Sequence, residues 1–358
     1  MRYVFKTSHD QDIDLLRHKS DWGWYAALIA LLAAAPALLP AYYVGELAFV
    51  FVLAIASVGL MLLTGFTGLV SLGHGAFLLI GAYIEAHALR AGLPLPVSLA
   101  LATLGTGAVG ILLGLPALRL TGLYLAIATL AFSGIVEHLF AHWKFLSAGE
   151  TFLTVPNPRL GGVRFGSGPG YYYLALALLA GTVLVCLNLL RSPTGRAFIA
   201  LRDSPIAAET LGVALARTKT MAFALSAAIG GLAGALYAHK ISTLTAESFN
   251  VLLSLELLMM VVVGGLGSIK GAVLGAVFLG LLDPAIARFK DYLPPAIGAQ
   301  SGLQLALYGL ILVFFVLFEP LGLAGRWAKI KAYFQAFPIY RRAMFKRTKA
   351  YMTSERMR

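Results

Sequence analysis

The chain has 358 residues, 59% hydrophobic and only 12% charged, with a formal net charge of +12. A soluble domain carries about 25% charged residues, so this composition excludes one and describes a polytopic membrane protein. A single cysteine, Cys186, lies within an apolar run and excludes both an intramolecular disulfide and a thiolate metal cluster.

The first 22 residues are polar, with four basic and four acidic side chains, and no signal peptide is read there. Windows of about 20 apolar residues then place spans near 24–44, 46–64, 72–89, 97–115, 121–141, 171–190, 220–239, 250–266, 271–287 and 302–319. The expected fold is an all-α membrane bundle of about ten helices in three parts. These are a cytoplasmic segment 1–23, a transmembrane domain 24–320 and a basic tail 321–358. An even count puts both termini on one side. With both termini inside, 21 of the 28 Lys and Arg residues face the cytoplasm, including Arg119, Arg191, Arg196, Arg202, Arg217, Lys219 and Lys270. Seven remain outside: Arg90, Lys144, Arg159, Arg164, Lys240, Arg288 and Lys290. That is the positive-inside bias. The outer segment 142–170 is rich in Gly and Pro and divides the spans into two sets of five. An odd number per half implies opposite insertion, the topology of inverted repeats, although no residue-level repeat accompanies it.

Thr64–Gly75 interrupts continuous apolar sequence with four glycines. Irregular backbone at membrane depth survives only where protein buries it or a cavity borders it. A helix beginning at Ser71–His74 would aim free N–H groups at a carboxylate; an ordinary cytoplasmic turn is the other reading. Gly264–Gly271 forms a second break, in which Lys270 follows Ile269 and so fails the Walker spacing. Gly105, Gly107 and Gly110 spell G-x-G-x-x-G inside a span with no preceding strand. The pairs Gly110/Gly114, Gly230/Gly234 and Gly271/Gly275 read as close-packing helix surfaces. Ionisable residues within spans are costly: Glu85 and His87 near Arg90, Glu256, and Asp283 before Pro284 are candidates for a polar lining or gate, or for carboxylates near the outer surface that snorkel or are paired. Glu137, His138 and His142 have i, i+4 histidine spacing, but no third ligand is evident and no metal site is expected.

The segment 191–219 holds five basic and two acidic residues between apolar stretches, and the charge count places it in the cytoplasm. Ser204 can cap a short helix there, Pro205 suits its first turn and Gly212 can close it. The chain carries no activated nucleophile, cofactor fingerprint or ATP-binding motif, so no enzyme activity and no cofactor are expected. Transport would then draw on an ion gradient, with Glu85, Glu256 and Asp283 as candidates, or on a separate ATPase docking on this capped helix. The helix favours the second. In the tail after Gly325, ten basic residues face only Glu355, with aromatics interleaved. This pattern suits a segment lying on anionic lipid headgroups rather than one binding nucleic acid.

Four stretches carry a resemblance: L-T-G-F-T-G-L-V-S-L-G-H-G-A-F-L-L-I-G-A-Y (63–83), L-R-L-T-G-L-Y-L-A-I-A-T-L-A-F (118–132), S-P-T-G-R-A-F-I-A-L-R-D-S-P-I-A-A-E-T-L-G (192–212) and S-A-A-I-G-G-L-A-G-A-L-Y (226–237). From about residue 45 to 320 the chain resembles the LivM-type permease of bacterial branched-chain amino acid ABC importers, in the binding-protein-dependent permease superfamily. The resemblance implies an inner-membrane translocation subunit without catalysis. Its implied partners are a second, LivH-like permease, two cytoplasmic ATPases that bind the ATP, and a periplasmic substrate-binding protein. It assigns ATPase coupling to Arg196, Arg202, Asp203, Ala207, Ala208, Glu209 and Gly212. Its G-x-x-G-x-x-S-x-G-H segment corresponds to Gly65, Gly68, Ser71, Gly73 and His74, which with Glu256, Gly264 and Gly265 form the expected substrate pathway. One departure is the outer loop before Val155-Pro156, which reads S-A-G-E-T-F-L in place of a Gly-rich run. Urea and amide permeases of the same superfamily are the alternative, and an ion-coupled carrier is a more distant one.

Overall fold

A computed structural model of the chain describes residues 19–143, 152–160, 163–164, 168–290, 303–319 and 321–336. Its helices, in chain order, are α1 (Lys19–Leu38), α2 (Ala41–Leu60, continued by a π turn over Met61–Phe66), α3 (His74–Arg90), α4 (Leu95–Ala117) and α5 (Gly122–His142). There follow α6 (Pro169–Arg191), α7 (Pro193–Asp203), α8 (Pro205–Thr210), α9 (Leu215–Ile241), α10 (Val251–Gly264), α11 (Ile269–Lys290), α12 (Leu303–Phe318) and α13 (Gly322–Ala336).

Each of the ten expected segments is helical over most of its described length. Among the described residues, seven helices are long and apolar enough to cross a membrane. The three others are shorter: α3 has 17 residues, and the apolar parts of α1 and α12 are Ala26–Leu38 and Ala306–Phe315. The first expected boundary moves. A span over 24–44 is cut because Pro40 lacks an N–H and forces the residue before it out of helical geometry. The chain therefore leaves α1 at Leu38 and restarts at Ala41.

α2 is apolar on every side (FVFVLAIASVGLML) and is buried at every position from Val50 to Thr64, which makes it a central helix. α9 lies against it and against α3 and α4 through small residues. A β-carbon at Gly234 would overlap the Leu78 carbonyl of α3, one at Gly81 the Gly231 carbonyl, and one at Gly110 would come 2.7 Å from the Phe223 carbonyl. Backbone approaches of this kind supply dispersion contact where lipid offers no hydrophobic driving force. Interhelical hydrogen bonds add to them: Ser226 Oγ donates to the Gly59 carbonyl (2.8 Å) and Ser57 Oγ to that of Ala272 (3.2 Å). Gly234→Ala should therefore destabilise the chain by about 1–3 kcal/mol through overpacking, seen as a lowered unfolding midpoint in detergent. Exposed Gly181, with open space around it, should tolerate the same change.

Two marks identify the ends of the bundle. At one end, the Lys219 ammonium at the start of α9 donates to the Leu118 carbonyl after α4 (3.3 Å). At the other, Lys240 meets Glu46 (3.1 Å). At this second end Leu153–Thr154 (β1) pairs antiparallel with Thr243–Leu244 (β4), and Arg90 donates to the Thr154 carbonyl and hydroxyl. The Gly/Pro-rich segment is thus clasped to the ends of α3 and α9. Arg159–Leu160 (β2) and Val163–Arg164 (β3) form a second two-residue pair.

Candidate functional site

The charged segment folds as two helices where one is expected. Ser192 and Ser204 accept from the N–H groups of Gly195 and Ala207, capping α7 and α8, and Pro193 and Pro205 open the first turns. At the far end the Gly212 N–H donates to Glu209 O and the Val213 N–H to Ala208 O, a Schellman closure. It requires the left-handed φ of +86° that Gly212 adopts.

α7 is the anchor. Gly195, Phe198 and Leu201 recur every three residues, and the latter two insert among Leu62, Leu63, Leu69 and Phe223. Arg196 faces outward and donates to the Arg191 carbonyl (3.1 Å). α8 is the presented element: only Ala208 is buried, while Ala207, Glu209 and Gly212 are exposed. Ile206 and Leu211, 79% and 83% exposed, make an apolar surface that the charge-led sequence reading missed. Truncating Phe198 to Ala should cost about 3–5 kcal/mol and unseat α7, measurable as faster proteolysis within 191–219.

Arg202 at the end of α7 joins this element to both glycine breaks. Its guanidinium pairs with Asp203 (3.0 Å) and donates from Nη1 to the Gly65 carbonyl (3.3 Å). A β-carbon at Gly267 would meet Nη1 at 3.0 Å, and one at Gly68 would meet the Arg202 Cγ at 3.2 Å. The breaks also touch each other. A β-carbon at Gly65 would come 2.9 Å from the Gly267 nitrogen, whose N–H points at Met61 Sδ (3.3 Å). In the second break, Gly264 packs on the Gly271 carbonyl, and a β-carbon at Gly265 would lie 2.5 Å from that of Leu321.

The first break is buried over most of its length rather than exposed as a loop. Its N–H groups have protein acceptors: Leu72 donates to Thr129 Oγ1 (3.0 Å), Gly73 to Ser71 Oγ (3.4 Å) and Gly75 to Ser254 Oγ (2.9 Å). In this conformation the start of α3 is filled by α5 and α10 and does not open onto a ligand. Thr129 and Ser254 were not singled out in the sequence; their only signal was a small hydroxyl within an apolar span. His74 is fully buried, edge-on to Phe77 and close to Gly230 of α9. Glu256 is half-buried on α10, two residues beyond Ser254.

The remaining candidates lie elsewhere. Glu85 is fully buried, not snorkelling: Oε1 accepts from Ser98 (2.8 Å) and meets His239 Nε2 (3.1 Å). The His138 and His142 rings stack at 4.1 Å, and no group of three metal-ligating side chains occurs among the described residues. Asp283 belongs to α11, but its side chain lies outside the described residues.

The chain is a multi-pass helical bundle with glycine breaks packed between its helices and a capped helix pair on one end, and the proteins it resembles are transport permeases. The profile of the family described as "Branched-chain amino acid transport system / permease component" matches residues 42–316, and the chain belongs to that family. It is 35% identical over 294 residues to the high-affinity branched-chain amino acid transport system permease protein LivM of Salmonella typhimurium, covering 75% of this chain and 67% of that protein. Identity to LivM of Escherichia coli is 33% over 322 residues, 83% and 73% of the two chains. The autoinducer 2 import system permease protein LsrC of Klebsiella pneumoniae is 30% identical over 281 residues, 74% and 78% of the two chains. No solved structure matches.

Proposed function

We propose that this chain is a translocation subunit of an ATP-driven importer of branched-chain or related amino acids in a bacterial inner membrane. It spans the bilayer ten times with both termini in the cytoplasm, its two sets of five helices inserted in opposite senses. A LivH-like permease completes the pathway, a periplasmic binding protein delivers cargo and two cytoplasmic ATPases supply energy. The observation that carries the reading is the α7–α8 pair: one helix anchored in the bundle, the other presenting Ile206 and Leu211 outward, and Arg202 between them touching both glycine breaks. A rigid-body push on α8 reaches the breaks through the Arg202 contacts, and a break between two packed arrangements is the kind of element that amplifies a small shift. The pathway assignment to Gly65, Gly68, Ser71, Gly73, His74, Glu256, Gly264 and Gly265 belongs to this proposal; cargo would meet them only after the breaks move. Similarity to LsrC favours a second reading, the same machinery with a different cargo.

Ile206→Asp and Leu211→Asp test the docking assignment. Both side chains are exposed, so the folded chain should keep its stability within about 0.5 kcal/mol. Loss of a buried anchor at the ATPase contact should weaken subunit association by about 2 kcal/mol or more. Co-purification of the ATPases reads the difference; retention of full association by both variants would remove α8 as the docking helix.

A further inference from the structure

We propose that α13 is a headgroup-binding helix: it lies on the membrane surface, selects anionic phospholipid and rests its first turn on the second glycine break. Three observations converge on it. First, α12 ends with Phe314, Leu317 and Phe318 exposed, a surface suited to lipid tails, and the chain enters α13 within four residues, so α13 starts at the hydrocarbon edge. Second, Trp327 and Ile330, three residues apart on one helical face, are 62% and 41% exposed, with Arg326, Lys329 and Lys331 exposed around them. An indole belongs at the polar–apolar boundary, and lysine and arginine stems extend from it to the headgroups. Third, charge complementarity selects the occupant. Glu319 pairs with both Arg326 and Lys329, so one carboxylate faces two cations while exposed Lys331 adds a third charge on the helix, an excess that anionic headgroups satisfy.

The seat of this helix gives the contact a consequence. A β-carbon at Gly322 would come 2.6 Å from both the Gly265 nitrogen and the Val263 carbonyl, so the turn into α13 packs backbone to backbone on the second break. Gly267, two residues on, packs against Arg202. Lipid attachment of α13 therefore fixes one side of the junction that α7 touches on the other. This inference stands on the membrane-spanning fold and does not require the ATPase partnership.

The test uses the full-length chain in nanodiscs of phosphatidylcholine and phosphatidylglycerol, with Trp327 as the sole tryptophan after Trp22, Trp24 and Trp143 are replaced by Phe. Bromine is carried on the acyl chains of one lipid or of the other. Brominated phosphatidylglycerol should quench Trp327 more strongly, and Arg326→Gln, Lys329→Gln and Lys331→Gln should each weaken the preference, about fivefold per cation at low salt. Equal quenching by the two lipids, or none, would overturn the proposal, the latter leaving α13 as a protein-docking helix. Should the tryptophan-depleted chain fail to fold, native mass spectrometry of the unaltered chain decides. Phosphatidylglycerol adducts should survive where phosphatidylcholine is lost, and the triple Gln variant should shed them; identical adduct patterns would refute the assignment.

Discussion

Arg202→Glu should abolish uptake while leaving the chain folded and inserted. Arg202 is 39% exposed at its side chain and caps no core cluster, so the fold does not depend on it. Its contacts are specific: Nη1 donates to the Gly65 carbonyl, the side-chain stem packs by Gly68 and the guanidinium by Gly267. Glutamate would set a carboxylate between the Gly65 carbonyl and Asp203, replacing attraction by repulsion on both sides. A hydrogen bond from a charged donor contributes roughly 1.5–3 kcal/mol, which converts to about a tenfold to hundredfold loss of coupling if it acts in the transport stroke. The informative measurement is the ratio of ATP hydrolysed to substrate moved in the assembled transporter. Hydrolysis should persist and uptake fall, and Arg202→Lys should recover part of it, because an ammonium reaches one acceptor where the guanidinium engages several. Equal loss of both activities would mean that Arg202 serves docking and not transmission.

The second large effect is expected on stability. His239→Leu removes the partner of Glu85 in a site where both side chains are at most 1% exposed. Glu85 Oε2 has no hydrogen-bond partner, so after the substitution Ser98 alone would serve the carboxyl group. Breaking a buried pair from one side costs about 3–5 kcal/mol, whereas replacing both members by apolar residues is often neutral. The unfolding midpoint in detergent should therefore fall sharply for His239→Leu and largely recover in Glu85→Leu/His239→Leu. A double variant as unstable as the sum of the single ones would show that the two residues do not act as a pair.

These two sites mark where sequence reading stops. Local signals were legible. Apolar windows located the helices, and Ser204, Pro205 and Gly212 placed the caps and the closing turn of α8, because capping chemistry lies within a few residues of the helix it ends. The pairs Gly230/Gly234 and Gly110/Gly114 were readable as packing surfaces because small residues at helical spacing have few other uses in lipid. Juxtapositions across the chain were not legible. Arg202 and Gly65 are 137 residues apart and Glu85 and His239 are 154 apart; nothing in either neighbourhood specifies the other. α7 went unread because its apolar stripe, Phe198 and Leu201, is short and the segment's charges dominate its composition. Pro40 was available in the sequence, but the surrounding apolar run concealed its effect on the boundary.

Under the proposed function, this chain would move amino acids only under power from a separate ATPase. The most direct test of that proposal is uptake of radiolabelled leucine by proteoliposomes containing the chain with the proposed LivH-like permease and two ATPases, and the proposed binding protein supplied on the substrate side. Uptake should require ATP on the side of the membrane that presents α8, stop when the ATPases are omitted and ignore an imposed proton gradient. Leucine accumulation by the purified chain alone, driven by that gradient without ATP, would contradict the account.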